Sequence, residues 1–247
     1  MTTNKRNVAD TSLPPHAVIL AGGFGTRLQS SVPDCPKSLA PVVGRPFLAY
    51  QLDWLRSQGI STVTLAIHYL AEQVVAFVSE WKSPNLALDY VREEIPLGTG
   101  GAVMNVVQEK GLDGDLLVLN GDTQYRFSLM PVLERYRSFD ESALLIAAHV
   151  EDVARFGTLT IEKDRVTSFH QATGRHEPGL VSTGAYLLHA TLFQEGDRRP
   201  FSMEDEFFPA LAEKEELAAY VLNHGENFFD IGTPESYEDF CASANKV

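Results

Sequence analysis

A glycine-rich stretch, Gly22-Gly23-Phe24-Gly25-Thr26-Arg27, follows the apolar run Ala17-Val18-Ile19-Leu20, and Lys37 stands a little further on in Pro36-Lys37-Ser38-Leu39-Ala40-Pro41. Glycines after a buried strand let backbone N–H groups approach a phosphate chain closely. Two cations beside such a loop, Arg27 and Lys37, suit a triphosphate. The glycines alone read equally well as a tight turn. Two other phosphate loops fail on their residues. A dinucleotide fingerprint needs a third glycine where Leu28 stands, and an acidic residue ending the second strand, where the chain has Ile67-His68. A P-loop needs Gly-Lys-Ser/Thr, which is absent. Two carboxylates complete the set. Asp122 follows the apolar run Leu116-Leu117-Val118-Leu119, so it falls at the carboxyl edge of a sheet, where α/β proteins bind ligands. An Asp there could equally cap the next turn. Asp230 ends another short stretch, Asn227-Phe228-Phe229.

Composition narrows the partners. The chain has 247 residues with 20 Lys and Arg against 33 Asp and Glu, a net charge of -13. It has no basic stripe to displace counterions, so nucleic acid is excluded as a partner. Any polyphosphate must be met by a few placed cations, by backbone N–H groups and by a divalent metal. No apolar run approaches the roughly 18 residues that span a bilayer, so no membrane association is expected. Cys35 and Cys241 form no CxxC pair. That suits a reducing cytoplasm and argues against a disulfide or metal-thiolate framework.

These residues need a scaffold that delivers them to one edge. Residues 17–20 read as a buried strand, 62–67, 86–91 and 116–119 as further strands, and 46–58, 71–80, 102–108 and 129–137 as helices. Such βα alternation predicts an α/β fold, a Rossmann-like mixed and mostly parallel sheet flanked by helices. After a strand at 143–148, segments 157–161, 165–169 and 181–188 read as a small antiparallel subregion. Helices follow at 203–214 and 234–244. Residues 1–15 read as a flexible leader, and 16–247 as one domain with a nucleotide-binding half (16–140) and an acceptor half (141–247).

The combination Gly-Gly-x-Gly-Thr-Arg-Leu with Pro-Lys-x-Leu-x-Pro resembles the signature of the sugar-1-phosphate nucleotidyltransferase family. The resemblance runs from Val18 to Tyr237, and it implies that residues 141–247 are the sugar-phosphate-binding half and their antiparallel strands a small sugar-binding subregion. Glu93-Glu94-Ile95-Pro96-Leu97-Gly98-Thr99-Gly100-Gly101 resembles the family's base-binding loop, and Leu119-Asn120-Gly121-Asp122 its metal-binding strand end. Phe156-Gly157 resembles its sugar-contacting pair, and Phe229-Asp230-Ile231-Gly232-Thr233-Pro234 its second metal site. The resemblance implies an enzyme that binds a nucleoside triphosphate first, then a sugar 1-phosphate, and releases pyrophosphate with Mg²⁺ as cofactor. It puts the metal on Asp122 and Asp230, with Arg27, Lys37 and these two carboxylates as the catalytic set. Leu20, Ala21, Gly22, Gly23, Gly25, Thr26, Arg27, Lys37, Glu93, Pro96, Gly98, Thr99 and Asn120 are expected on the nucleotide, and Phe156, Gly157, Ser182 and Thr183 on the sugar phosphate.

The match departs from the family where a Glu-Lys pair usually stands, since this chain has Phe169-His170-Gln171-Ala172. Arg175, or else His176, is the candidate to supply the missing charge. Ser182 stands where an Asn is common. The base is expected to be guanine. Its N1–H and N2 amino group are two adjacent donors that a carboxylate can accept together. Glu93 is the candidate from its offset to the turn, with Glu94 or a pairing to Arg92 as competing readings. Within the family, the short chain without a C-terminal repeat domain resembles the D-glycero-D-manno-heptose 1-phosphate guanylyltransferases, which implies GTP and a heptose 1-phosphate as partners. Nucleotide-sugar supply for capsule or lipopolysaccharide is implied with it. A mannose-1-phosphate guanylyltransferase, a uridylyl- or thymidylyltransferase acting on glucose 1-phosphate, and a non-catalytic nucleotide-sugar sensor are the rival readings. Homo-oligomerisation stays open.

Overall fold

Along the first strand, β1 (His16–Leu20), Ala17 and Ile19 enter one hydrophobic cluster and Val18 another, and all three are fully buried. Successive side chains of a strand point to opposite faces, so this strand must be covered on both sides. That is why its sequence reads as a continuous apolar run rather than an alternating one. The computed structural model describes residues 14–138 and 140–244. The expected leader lies outside the described residues over 1–13.

A short hairpin, β2 (Pro41–Val42) and β3 (Arg45–Pro46), leads into α1 (Phe47–Ser57). Then come β4 (Thr62–Ile67), α2 (Ala71–Glu80), β5 (Ala87–Arg92), α3 (Gly98–Lys110), β6 (Asp115–Asn120), β7 (Thr123–Arg126) and α4 (Leu129–Arg137). The second half runs β8 (Ala143–Val150), β9 (Thr158–Glu162), β10 (Arg165–His170), β11 (Gly179–His189), α5 (Thr191–Gln194), α6 (Phe208–Ala212), β12 (Ala218–Val221), β13 (Asn227–Asp230) and α7 (Pro234–Ala244).

Nine strands form one sheet in the order β5-β4-β1-β6-β11-β8-β12-β10-β9. The first four are mutually parallel, while β11 runs antiparallel to both β6 and β8. The chain leaves β1 toward β4 and β5, then returns through α3 to place β6 on the other side of β1. Ligands of open α/β sheets bind at the carboxyl ends of strands where the order reverses in this way. Here that point lies between β1 and β6. The ends of the two strands approach so closely that Gly121 N donates to Leu20 O at 3.0 Å, and a Cβ on Gly121 would lie 2.4 Å from that oxygen.

Two elements differ from the sequence reading for physical reasons. Helix α3 begins at Gly98, four residues earlier than its apolar spacing suggests. Its opening glycines, poor helix formers, accommodate the segment 199–201 that lies across them. Phe201 O accepts from Gly100 N at 3.0 Å, satisfying an N–H the helix itself cannot. A Cβ on Gly101 would stand 2.6 Å from Arg199 O and one on Gly100 2.1 Å from the Phe201 ring. The expected helix 203–214 is instead a π-helical turn, Met203–Phe207, followed by α6. Single π turns inside helices are frequent at functional sites.

Gly101→Ala tests the strap directly. Helix propensity alone would favour Ala by up to about 1 kcal/mol, whereas the clash with a backbone oxygen costs about 1–3 kcal/mol. A net loss of stability is expected in urea unfolding, and a gain would show that the strap can lift away.

Candidate active site

At the carboxyl ends of β1, β4, β5 and β6 opens a cavity of about 450 Å³. The glycine loop forms its floor. Leu20, Ala21, Gly22, Gly23, Gly25, Thr26, Arg27, Lys37, Glu93, Pro96, Gly98, Thr99 and Asn120 all line it. Segments far apart in sequence therefore meet around one cavity. Gly25 has a φ of +59 with the Lys37 side chain packed against it; a Cβ there would lie 3.1 Å from Lys37 Cβ. A side chain would be both strained and crowded.

The two carboxylates are brought together by a two-stranded ribbon. Strand β13 pairs antiparallel with β7 so that Asp230 lies opposite Thr123, and Ile231 N donates to Asp122 O at 2.9 Å. Gln51, fully buried on α1, holds the intervening turn by donating to Asn120 O at 2.8 Å and Thr123 O at 2.6 Å. Lys37 Nζ donates to Asp122 Oδ2 at 2.5 Å. Burial pushes the Asp230 carboxyl up, and the neighbouring charge of Asp122 pushes it further; Lys37, the Gly232 N–H bonded to Asp230 Oδ1, and Arg155 act in the opposite direction. The sequence reading put Lys37 on the triphosphate. Here its ammonium pairs with Asp122.

Among the described residues no group of three or more His, Cys, Asp or Glu could hold a metal. A pair of carboxylates fits Mg²⁺ well, because that ion keeps several waters and takes its remaining ligands from substrate phosphates.

Glu93, 6% exposed, sits at the end of β5. Its Oε2 accepts from Leu97 N at 2.9 Å, while Oε1 faces Gly22, where a Cβ would come within 3.2 Å. Burial raises its carboxyl, and the Leu97 N–H and His68 offset part of that rise. The competing readings recede, since Glu94 is exposed and Arg92 pairs with Glu72 at 2.7 Å. Thr99 is committed elsewhere. Its hydroxyl donates to Glu204 Oε2 at 2.7 Å and accepts from Met203 N at 2.8 Å.

A second cavity, of about 710 Å³, lies over β9, β10 and β11, and the two meet at Asn120, which lines both. Phe156, Gly157 and Ser182 line it. Strand β11 bulges between Ser182 and Ala185, and Gly184 takes a φ of +73 there. A Cβ at Gly184 would lie 2.4 Å from Asn120 Nδ2, so the bulge makes room for the Asn120 side chain.

Two sequence-derived assignments are corrected. Thr183 is 2% exposed and its hydroxyl donates to Ile146 O at 2.9 Å, so it faces the core and not the sugar cavity. Arg175 is exposed in the segment 171–178 and lines neither cavity; His176 is tied to Asp152 at 2.8 Å. Sequence reasoning missed Glu204 and Asp205 in the wall of this cavity, and Arg155, which lines neither cavity but directly precedes Phe156 of this one and donates to Thr233. The only signal for Arg155 was its position directly before Phe156-Gly157.

Comparison with known proteins identifies the family. Residues 16–246 match the family described as Nucleotidyl transferase. The chain is 33% identical to the D-glycero-alpha-D-manno-heptose 1-phosphate guanylyltransferase of Aneurinibacillus thermoaerophilus, over 90% of this chain and 94% of that one. It is 34% identical to the enzyme of the same name from Campylobacter jejuni, over 91% and 97%. The crystal structure of HddC from Yersinia pseudotuberculosis complexed with GMP-PN superposes with a TM-score of 0.82 at 31% identity, covering 94% of this chain and all (100%) of that one. No helix among the described residues is long and apolar enough to cross a membrane.

Proposed function

The chain belongs to the nucleotidyl transferase family, and from that premise we propose that it transfers GMP from GTP to D-glycero-D-manno-heptose 1-phosphate, giving the GDP-sugar and pyrophosphate. The observation that carries the choice of base is the buried Glu93 carboxylate, with Oε1 turned into the nucleotide cavity. The named activity of the relatives carries the choice of sugar. The two free cysteines suit a cytoplasmic setting.

Asn120, where the two cavities meet, marks where a sugar-phosphate oxygen attacks the α-phosphorus of GTP. A new P–O bond forms there as the bond to the β-phosphate oxygen breaks and pyrophosphate leaves. The attacking phosphate is already ionised near neutral pH, so no general base is needed. Alignment and charge neutralisation carry the rate. The glycine loop presents N–H groups to the phosphates, and Arg27 meets the charge that shifts toward pyrophosphate. Asp122 and Asp230 would hold Mg²⁺, which supplies charge neutralisation at the phosphate oxygens.

The test is pyrophosphate release with GTP, UTP, dTTP, ATP and CTP crossed against hexose and heptose 1-phosphates. GTP with the heptose phosphate is expected to be best; turnover of UTP or dTTP with GTP idle overturns the choice of base. Arg27→Ala is expected to lower kcat as well as raise the KM for GTP, because its charge serves the leaving group. A change confined to the KM for sugar phosphate would put Arg27 on the other substrate.

A further inference from the structure

The sugar cavity has a charge problem. A sugar 1-phosphate brings an anionic group, yet none of the residues lining this cavity is a Lys or Arg, and its far wall carries Glu204, Asp205 and Glu213. Gln171 and Ala172 line it without charge. Lys37 is engaged by Asp122, and Arg27 lies on the glycine loop of the other cavity.

Arg155 lines neither cavity but lies between residues that do. Arg155 directly precedes Phe156, and its guanidinium carbon lies 5.1 Å from the centroid of that ring. Nη1 donates to Thr233 Oγ1 at 3.1 Å. Thr233 follows Gly232, which lines the nucleotide cavity, and Phe156 lines the sugar cavity, so the guanidinium lies between the two linings. Its charge reaches Asp230. Among the described residues no carboxylate lies within ion-pair distance of it, and apart from Nη1 its N–H groups have no partner there.

Resting on the functional reading above, we propose that Arg155 is the residue that grips the phosphate of the incoming sugar 1-phosphate. Its flat face rests on Phe156, its bond to Thr233 fixes its direction, and the remaining N–H donors present a fork suited to two phosphate oxygens. The phosphate is thereby held at the junction beside Asp230, and the acidic far wall faces the neutral hydroxyl end of the sugar. Arg155 takes the part that the sequence reading gave to Arg175.

The test is calorimetric titration of mannose 1-phosphate and of D-glycero-D-manno-heptose 1-phosphate into the full chain saturated with a non-hydrolysable GTP analogue and Mg²⁺. Arg155→Ala is expected to weaken the bound sugar phosphate by roughly tenfold or more while affinity for the GTP analogue stays unchanged. Arg155→Gln, which keeps a polar stem, should behave alike. Affinity in the unaltered protein should fall with added salt more steeply than in either variant, a difference that a purely structural role would not produce. Arg155 is exposed, so the unfolding midpoint should not move. Equal sugar-phosphate affinity or equal salt dependence in variant and unaltered protein overturns the proposal alone, as does a loss that falls on the GTP analogue. If the unaltered protein binds neither sugar phosphate, the functional reading falls and the proposal falls with it.

Discussion

Asp122→Asn is expected to lower kcat by roughly 10²-fold or more, the scale of losing one electrostatic stabiliser at a phosphoryl-transfer site. The substitution keeps the shape of the side chain and removes its charge. Asp122 stands at the end of β6, held by a turn that buried Gln51 pins from α1, so the amide should occupy the same place. Two consequences follow at once. Lys37 loses its anionic partner at 2.5 Å, and Asp230 is left as the one remaining carboxylate of the ribbon. A site with one negative charge instead of two should also demand more Mg²⁺ for half-maximal rate. The measurement is pyrophosphate release at saturating GTP and sugar phosphate across a Mg²⁺ titration. Near-normal turnover at low Mg²⁺ would remove Asp122 from the metal site.

Glu93→Gln should shift the choice of base, and the Leu97 N–H dictates how. That donor needs an acceptor, which Glu93 Oε2 now provides at 2.9 Å. In the variant the amide oxygen must turn to Leu97, because the opposite orientation would bury two donors face to face. The NH₂ group is then turned toward Gly22 and the cavity, where the carboxylate had offered Oε1. Guanine meets that amide donor to donor, whereas a uracil or thymine carbonyl can accept from it. Preference for GTP over UTP in the unaltered protein should amount to several kcal/mol in kcat/KM terms. The single substitution should erode it by about 10²-fold, the cost of a buried mismatch of polar groups. Inosine triphosphate offers a second check, since it lacks the N2 amino group and should be used less well than GTP. An unchanged GTP to UTP ratio in the variant would take Glu93 out of base recognition.

Much of this was legible along the chain. The continuous apolar runs of β1 and β6 read as strands covered on both faces, which implied a parallel sheet with helices on each side. The glycine loop, Lys37, Asp122 and Asp230 stood out because each follows a strand-like run or a turn, and local sequence determines that much. The turn Pro96-Leu97-Gly98 marked Glu93 by its offset alone.

What the chain order could not state is who faces whom. Thr183 and Ser182 are neighbours, but a strand sends them to opposite faces, and a bulge that depends on Asn120 decides which one faces the sugar cavity. Gly98, Gly100 and Gly101 resembled a loop for a base, yet the segment 199–201 that leaves all three no room for a side chain lies about a hundred residues away. Arg175 and Arg155 are equally charged on paper. Only the folding of the 152–156 segment against Thr233 puts Arg155 between the two cavity linings, while Arg175 stays out in solvent. The sequence by itself determined the layers of the fold and the chemistry at each strand end, because periodicity and side-chain type are local properties. Tertiary structure alone decided the pairing of Asp122 with Asp230, the orientation of Glu93 and the cation at the sugar cavity, because each depends on contacts between segments that are distant in the chain.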